Sequence, residues 1–398
     1  MIAQSHPISN GPLFVFAGGG TGGHIYPSIA VARAIRDEVL DARFLFLGTK
    51  RPIDRRITDT IDCEFVPQAL SRLSLAPWRM VKAYLDFRRA STSCFERFVS
   101  DRPVVVVGTG GMAAAPAVRE AFRAGIPTAL FNPDAIPGKA NRHLTSKTKC
   151  VFAQFEQTVD HFPHEVEVVV SGCPVRPEFH TANRDEGMIS FGLDPSLKTL
   201  LITGASLGAR TVNQAVVANA AFLAGCEDWQ VLHLTGQSDF DMVKAAYKET
   251  AAKRVQVVAY TEDMAWAMAA ADLIVSRAGA STLAEIIAMG RPSILMPYPF
   301  HRDQHQVANA RCLADVGAAE LVVDAIDTTI NAATLHAALH EAMHDDDRRR
   351  HMAAKAQRMG AARRNAATRI AERLLQVAGL QVRSSRTSNL PLESLKAS

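Results

Sequence analysis

The feature that most constrains the fold is a series of short, uninterrupted apolar segments, each followed by a glycine-bearing turn and a helical pattern. "LFVFA" (13–17) runs into "GGGTGGH", and "RFLFLG" (43–48), "VVVV" (104–107, followed by "GTGG"), "TALF" (128–131) and "CVFA" (150–153) come next. A strand that is apolar along its whole length has both faces buried, which is the condition of a parallel sheet covered by helices. A second series follows: "TLLIT" (199–203), "VLHLT" (231–235), "VQVVAY" (255–260), "LIVS" (273–276) and "SILMPY" (293–298). Two series predict two doubly wound, Rossmann-like α/β domains, with the break near "SGCPVRPEF" (171–179). The 398 residues are enough for two or three such cores.

The expected division is 11–172, 173–345, a single helical strap at 346–378 and a polar, disordered tail at 379–398. The first helix is expected from about Pro27 to Leu40, because proline suits a first helical turn. Another is expected from about Thr211.

Composition narrows the class. A net charge of +4 is far from that of a nucleic-acid-binding tail but is compatible with an anionic membrane surface. Six cysteines without a CxxC pair argue against a disulfide framework or zinc site and fit a reducing compartment. No signal peptide is expected, and no apolar run nears the roughly 20 residues that span a bilayer.

In a parallel α/β sheet, ligands bind beyond the carboxyl ends of the strands. Four glycine-bearing loops fall at such ends: "GGGTGGH", "GTGG", "GASLGA" and "RAGAST". Glycines let backbone N–H groups approach a phosphate, and the following helix offers its positive end. The first loop is neither a dinucleotide fingerprint, since no acidic residue ends the second strand, nor a P-loop, since no GK[ST] follows. In the second half, Glu285 lies one turn inside the helix after "RAGAST", where a carboxylate can accept both hydroxyls of a ribose. "DQHQ" (303–306) supplies polar groups for a sugar; its plain alternative is a solvated capping loop.

Together, "GGGTGGHIYPSIAVA", "VVVGTGG", "IPGKANR", "GCPVR", "GASLGARTVNQ", "EDMAWAMAAADLIVSRAGASTLAEI" and "DQHQVANA" resemble the MurG family of membrane-associated glycosyltransferases, over roughly residues 12 to 375. The resemblance implies two Rossmann-like domains facing across a cleft (the GT-B architecture). It implies inverting transfer of N-acetylglucosamine from UDP-N-acetylglucosamine to the 4-hydroxyl of undecaprenyl-diphosphate-linked N-acetylmuramyl-pentapeptide, at the cytoplasmic face of the inner membrane. Donor contacts implied by it are Thr21, Gly22, Gly23, Arg176, Ser206, Thr261, Ala280, Ser281, Thr282, Leu283, Ala284, Glu285 and Gln306; Asp134 is added as a sugar contact from the chain's own residues, not from the resemblance. Gly18, Gly19, Gly20, Gly108, Gly110 and Gly111 are assigned to the acceptor diphosphate. His24 is the candidate general base, since a neutral imidazole suits proton abstraction near pH 7; its alternative role is to order the loop or brace the sugar. No cofactor and no metal are expected, with Arg176 meeting the charge on departing UDP.

The chain departs from the family where His-Glu-Gln-Asn usually precedes the Pro-Gly-x-Ala-Asn-Arg run. Here Phe131, Asn132, Pro133 and Asp134 stand in that place, and Asp134 becomes a second catalytic candidate. Ala205 and Leu207 also replace the usual glycine and glutamine around Ser206. A different acceptor, or a non-catalytic nucleotide-sugar-binding regulator, are the rival readings; an epimerase of this architecture would want more carboxylates in the cleft. Finally, "PWRMVKAYLDFRRA" (77–90) projects as an amphipathic helix. Trp78, Val81, Tyr84 and Leu85 lie on one half and Arg79 and Lys82 on the other, so it is expected either to lie on a membrane or to pack its apolar half on the sheet.

Overall fold

The computed structural model describes residues 11–20, 22–71, 76–204, 208–250, 253–300 and 303–381. The expected contacts Thr21 and Ser206, and most of the expected tail, lie outside the described residues.

The N-terminal half forms a parallel sheet from β1 (Leu13–Ala17), β2 (Arg43–Gly48), β3 (Glu64–Pro67), β4 (Val105–Gly108), β5 (Thr128–Asn132), β6 (Cys150–Ala153) and β7 (Glu167–Val170). Its order is β3-β2-β1-β4-β5-β6-β7, so the direction of winding reverses between β1 and β4. The C-terminal half repeats the plan with β8 (Lys198–Thr203), β9 (Trp229–Leu234), β10 (Val255–Val258), β11 (Leu273–Ser276), β12 (Ser293–Leu295) and β13 (Glu320–Leu321), ordered β10-β9-β8-β11-β12-β13. Here the reversal lies between β8 and β11. These two crevices are where open α/β sheets bind ligands.

The central strands are completely buried, as their apolar runs require: β1, β4, β8 and β11 have scarcely an exposed side chain. The edge strands β3, β7 and β13, which carry exposed or half-exposed positions, were not anticipated.

Two expectations about helices are corrected. The first helix spans Gly22–Glu38, starting inside the glycine loop, so Pro27 stands in the second turn. Lacking an N–H, Pro27 cannot bond the carbonyl of Gly23. The expected strap is two helices, Asp346–Arg363 and Ala366–Val377, separated at Asn365, whose backbone leaves the helical region. The first packs on the helix Ala280–Met289, with Gly360 so close to the Ile287 carbonyl that a Cβ there would stand 2.4 Å from it. The second crosses to the N-terminal half and buries Ile370, Ala371, Leu374 and Leu375 among Ile29, Val31 and Ile35. Arg373 pairs with Glu167, and Arg369 donates to the Val170 carbonyl at 3.1 Å.

Candidate active site

The two glycine loops at the β1 and β4 ends pack on each other. Thr109 N–H donates to the Ala17 carbonyl at 2.8 Å, and a Cβ on Gly18 would stand 2.1 Å from Thr109 Oγ1. Gly110 has φ +102° and lies against the imidazole of His24, where a Cβ would meet Cε1 at 3.3 Å. Glycine at 110 therefore makes room for the His24 ring as well as supplying the left-handed backbone.

His24 sits in the first turn of the helix Gly22–Glu38, half-buried. Its Nδ1 is enclosed and has no hydrogen-bond partner among the described residues, which leaves Nε2 as the nitrogen open to a ligand. Burial pushes its pKa below the ordinary 6.5, while the negative charges of Asp134 and Asp54 act the other way. The ring is thus neutral at pH 7, with two carboxylates placed to stabilise an imidazolium once it takes a proton.

Several assigned glycines have other duties. The Gly18 N–H donates to the Leu47 carbonyl at 3.0 Å. The Gly20 N–H donates to both carboxylate oxygens of Asp54, each at 3.0 Å. Gly108 lies within β4, where a Cβ would stand 2.7 Å from Val118 and 2.9 Å from Leu130, so it is a packing glycine. These three corrections remove Gly18, Gly20 and Gly108 as phosphate donors, because their amides are spent inside the protein and a buried carboxylate beside Gly20 repels an anion. Gly19, Gly110 and Gly111 keep amides that no described group takes, and Gly111 is exposed.

Across the cleft, the helix Ala280–Met289 opens after β11 with Gly279 as its cap residue. Ala280, Ser281 and Thr282 form its first turn, whose N–H groups have no partner within the helix. Leu283 is fully buried and its N–H donates to the Gly279 carbonyl at 3.0 Å; Ala284 is buried against the N-terminal core. Leu283 points into its own domain, whereas Ala284 lies at the interface between the domains and also lines the cavity described below. Glu285 does carry a perturbed group: burial raises its carboxyl to about 7, and the nearby Arg176 guanidinium acts against that rise. Arg176 lies over the rings of Tyr26 and Phe179, each 5.1 Å away, at the segment joining the domains. It also lines a cavity of about 440 Å³ between the helices Gly22–Glu38 and Ala280–Met289. Thr261 Oγ1 accepts from the Asp263 N–H at 3.0 Å, and Gln306 Oε1 accepts from the Tyr298 N–H at 2.9 Å, which orients the Gln306 amide.

The departure at 131–134 has a defined structure. Phe131 and Asn132 are buried; Asn132 Nδ2 donates to the Asp134 carbonyl at 2.6 Å, and Asn132 Oδ1 accepts from Asn141 at 2.9 Å. Asp134 reaches the other domain, where its Oδ1 accepts from Asn309 Nδ2 at 2.8 Å. Asn309 is buried, also donates to the Ala278 carbonyl (3.1 Å) and accepts from the Ala135 N–H (2.7 Å). This single amide therefore ties the loop after β5 to the loop after β11. Gln154 adds a second link, donating to the Ala280 carbonyl at 3.1 Å. Both residues were missed in the sequence, where an Asn in "VANA" and a Gln after a strand carry no signal of partners so far away. Asn309→Ala should cost about 2–3 kcal/mol of unfolding free energy in urea titrations, since it strands the buried Ala135 N–H.

Two parallel-sheet domains, with helix N-termini at both switch points and the carboxyl ends joined across a cleft, define the GT-B architecture. Residues 14–153 match the glycosyltransferase family 28 N-terminal domain and residues 199–374 its C-terminal domain. Similar curated proteins bear the name UDP-N-acetylglucosamine–N-acetylmuramyl-(pentapeptide) pyrophosphoryl-undecaprenol N-acetylglucosamine transferase. One from Desulfitobacterium hafniense is 39% identical, over 78% of this chain and 85% of its own length. Another from Desulforamulus reducens is 35% identical, over 87% and 94%. The crystal structure of Acinetobacter baumannii MurG superposes with a TM-score of 0.71 at 26% identity, over 92% of this chain and 99% of that one. A UDP-GlcNAc 2-epimerase from Neisseria meningitidis, 15% identical with a TM-score of 0.66 over 92% and 100%, shares the fold. The chain belongs to the MurG family of UDP-N-acetylglucosamine-dependent transferases.

Proposed function

We propose that N-acetylglucosamine passes from UDP to the muramyl 4-hydroxyl of the lipid-linked pentapeptide within this cleft, with His24 as general base. The observation that carries this is the open Nε2 of a neutral His24, flanked by the charges of Asp54 and of Asp134, which is itself bonded to Asn309 of the second domain. Nε2 takes the hydroxyl proton as the oxygen attacks the anomeric carbon opposite UDP, which inverts the configuration. The first-turn amides of Ala280, Ser281 and Thr282 hold the diphosphate, and Arg176 offsets its growing charge. Glu285 accepts the ribose hydroxyls, and Gln306 the sugar. This scheme includes no metal, because the helix N-terminus and Arg176 meet the charge that a metal would otherwise meet. Gly111 and the open end of the helix Gly22–Glu38 are left for the acceptor's diphosphate. Asp134 acts on His24 through charge, and one of its oxygens is already engaged by Asn309.

Membrane docking is part of this reading. The helix Pro77–Asp101 buries only Ala83, Ser91, Cys94 and Phe98, while Trp78, Met80, Val81, Tyr84 and Leu85 are all exposed, Trp78 by 72%. The apolar half that was expected to face either sheet or membrane is thus uncovered, beside exposed Arg79 and Lys82. A ring of apolar and basic side chains on the acceptor domain suits an anionic bilayer surface and a peripheral place at the inner membrane. No described helix is long and apolar enough to cross one. Replacing Trp78 and Tyr84 together by glutamate should lower partitioning onto vesicles containing phosphatidylglycerol at least tenfold without changing Tm. Unchanged partitioning would remove this surface from the reading.

The whole proposal is tested by transfer of radiolabelled N-acetylglucosamine from UDP to a short-chain lipid-linked muramyl-pentapeptide, with UDP binding measured on the same sample. Transfer is the expected result. UDP binding without transfer would keep the donor site and move the question to another acceptor, the rival favoured by Asn132 standing where the family has an acid.

A further inference from the structure

Asp54 has no exposed surface and lies in the short helix Pro52–Thr58, outside every motif that carried the sequence reading. Its Oδ2 accepts from the Thr49 N–H at 2.7 Å and the Thr49 hydroxyl at 2.8 Å, and both oxygens accept from the Gly20 N–H. From the residue before this helix, Arg51 Nη1 donates to the Gly20 carbonyl at 2.5 Å. Gly20 is therefore held on both sides, through its own N–H and its own carbonyl, four residues before His24. The fit leaves no slack: Gly20 has φ +89°, and a Cβ on Gly19 would stand 2.3 Å from Asp54 Oδ2. A buried carboxylate is tolerated only when its oxygens are bonded, and here the donors are Thr49, just after β2, and the Gly20 N–H of the glycine loop. The carboxylate thus ties the end of the glycine loop to the segment after β2.

We propose that Asp54, assisted by Arg51, is a positioning residue that fixes Gly20 and so sets the place of His24. The proposal rests on the reading of His24 as the base. The charged groups acting on the imidazole are Asp134, from the loop after β5, and Asp54; the turn at 109–111 that packs on the ring carries none. Asp54 thus works in two ways. Its bonds hold the loop that starts the His24 helix, and its charge favours the imidazolium formed during transfer. A displacement of about 1 Å at a catalytic group is enough to cost on the order of 100-fold in rate.

The test separates these effects and does not depend on turnover alone. In Asp54→Asn, the His24 imidazole titration, followed by NMR on the full-length protein, should move down by about 0.5 unit, because one of two nearby negative charges is gone. The same variant should lose at least tenfold in kcat, keep the KM for UDP-N-acetylglucosamine within twofold, and move the acid limb of kcat/KM down with the imidazole. Arg51→Ala, at an exposed side chain, should lose a few fold in kcat and leave the titration in place. An unmoved His24 titration with unchanged kcat in Asp54→Asn overturns the proposal. If His24→Ala keeps wild-type turnover while Asp54→Asn still moves the titration, the base assignment has failed and the electrostatic link between Asp54 and His24 has not. A fall in activity with an unmoved titration and a lowered Tm makes Asp54 a purely structural residue and also overturns the proposal.

Discussion

Glu285→Gln should weaken binding of UDP-N-acetylglucosamine about 30-fold and at the same time stabilise the unliganded protein at alkaline pH. The two effects have one origin. A carboxylate that accepts both ribose hydroxyls makes charge-assisted bonds worth about 2 kcal/mol more than a neutral amide can offer. The same side chain is half-buried, and desolvation lifts its pKa from 4.5 to about 7. A carboxyl raised in this way favours the folded state fully below the unfolded value, and that advantage disappears as pH rises through the folded value. Wild-type protein at pH 8 therefore holds an ionised group that the fold disfavours, by up to about 3 kcal/mol. Glutamine stays neutral at every pH. The variant's Tm should exceed that of wild type at pH 8 and converge with it near pH 4, while calorimetric titration shows the lost donor affinity. Equal Tm values at pH 8 would mean that the carboxylate is better solvated than its burial implies.

The second large effect is at His24. His24→Ala should lower turnover by about 10²- to 10⁴-fold, the range for loss of a general base, with UDP affinity unchanged within about twofold. Because burial holds the imidazole below its ordinary 6.5, the acid limb of kcat/KM should fall below that pH and the enzyme should be fully active at pH 7. Rates near wild type in this variant would remove His24 as the base and leave it as the residue that packs on Gly110.

The parts of this molecule that could be read from sequence are those set by local chemistry. Strands β1, β2, β6 and β11 fall where their apolar runs place them, because a strand buried on both faces has no polar position to blur its ends. Strands β3 and β13 were missed because they are short edge strands with few apolar positions, whereas β7 carries a valine run as continuous as that of β10, an edge strand that the sequence did show. The site divides in the same way. His24 was legible because it ends a glycine loop, and Glu285 because it sits one turn into a helix. Asp54 and Asn309 were not, because their partners lie 34 and 175 residues away, and only the closed fold brings them together. The glycines were legible as glycines but not in their separate duties, since packing on Val118, accepting the His24 ring and bonding Asp54 call for the same absent side chain.

The return of the last helix to the first domain has a mechanical consequence. The chain passes between the domains twice, once after β7 and once between Arg363 and Ala366. The two passages touch, for Gly172, at φ +82°, lies directly against the Arg363 side chain. The two covalent joints therefore lie at one place, and a rotation of one domain about it moves Gly172 least. Elsewhere Arg56 of the first domain meets Glu262 of the second at 3.0 Å, and Asp134 meets Asn309 at 2.8 Å. Any such rotation strains these contacts first, so the ion pair and the buried amide act as stays on a hinge.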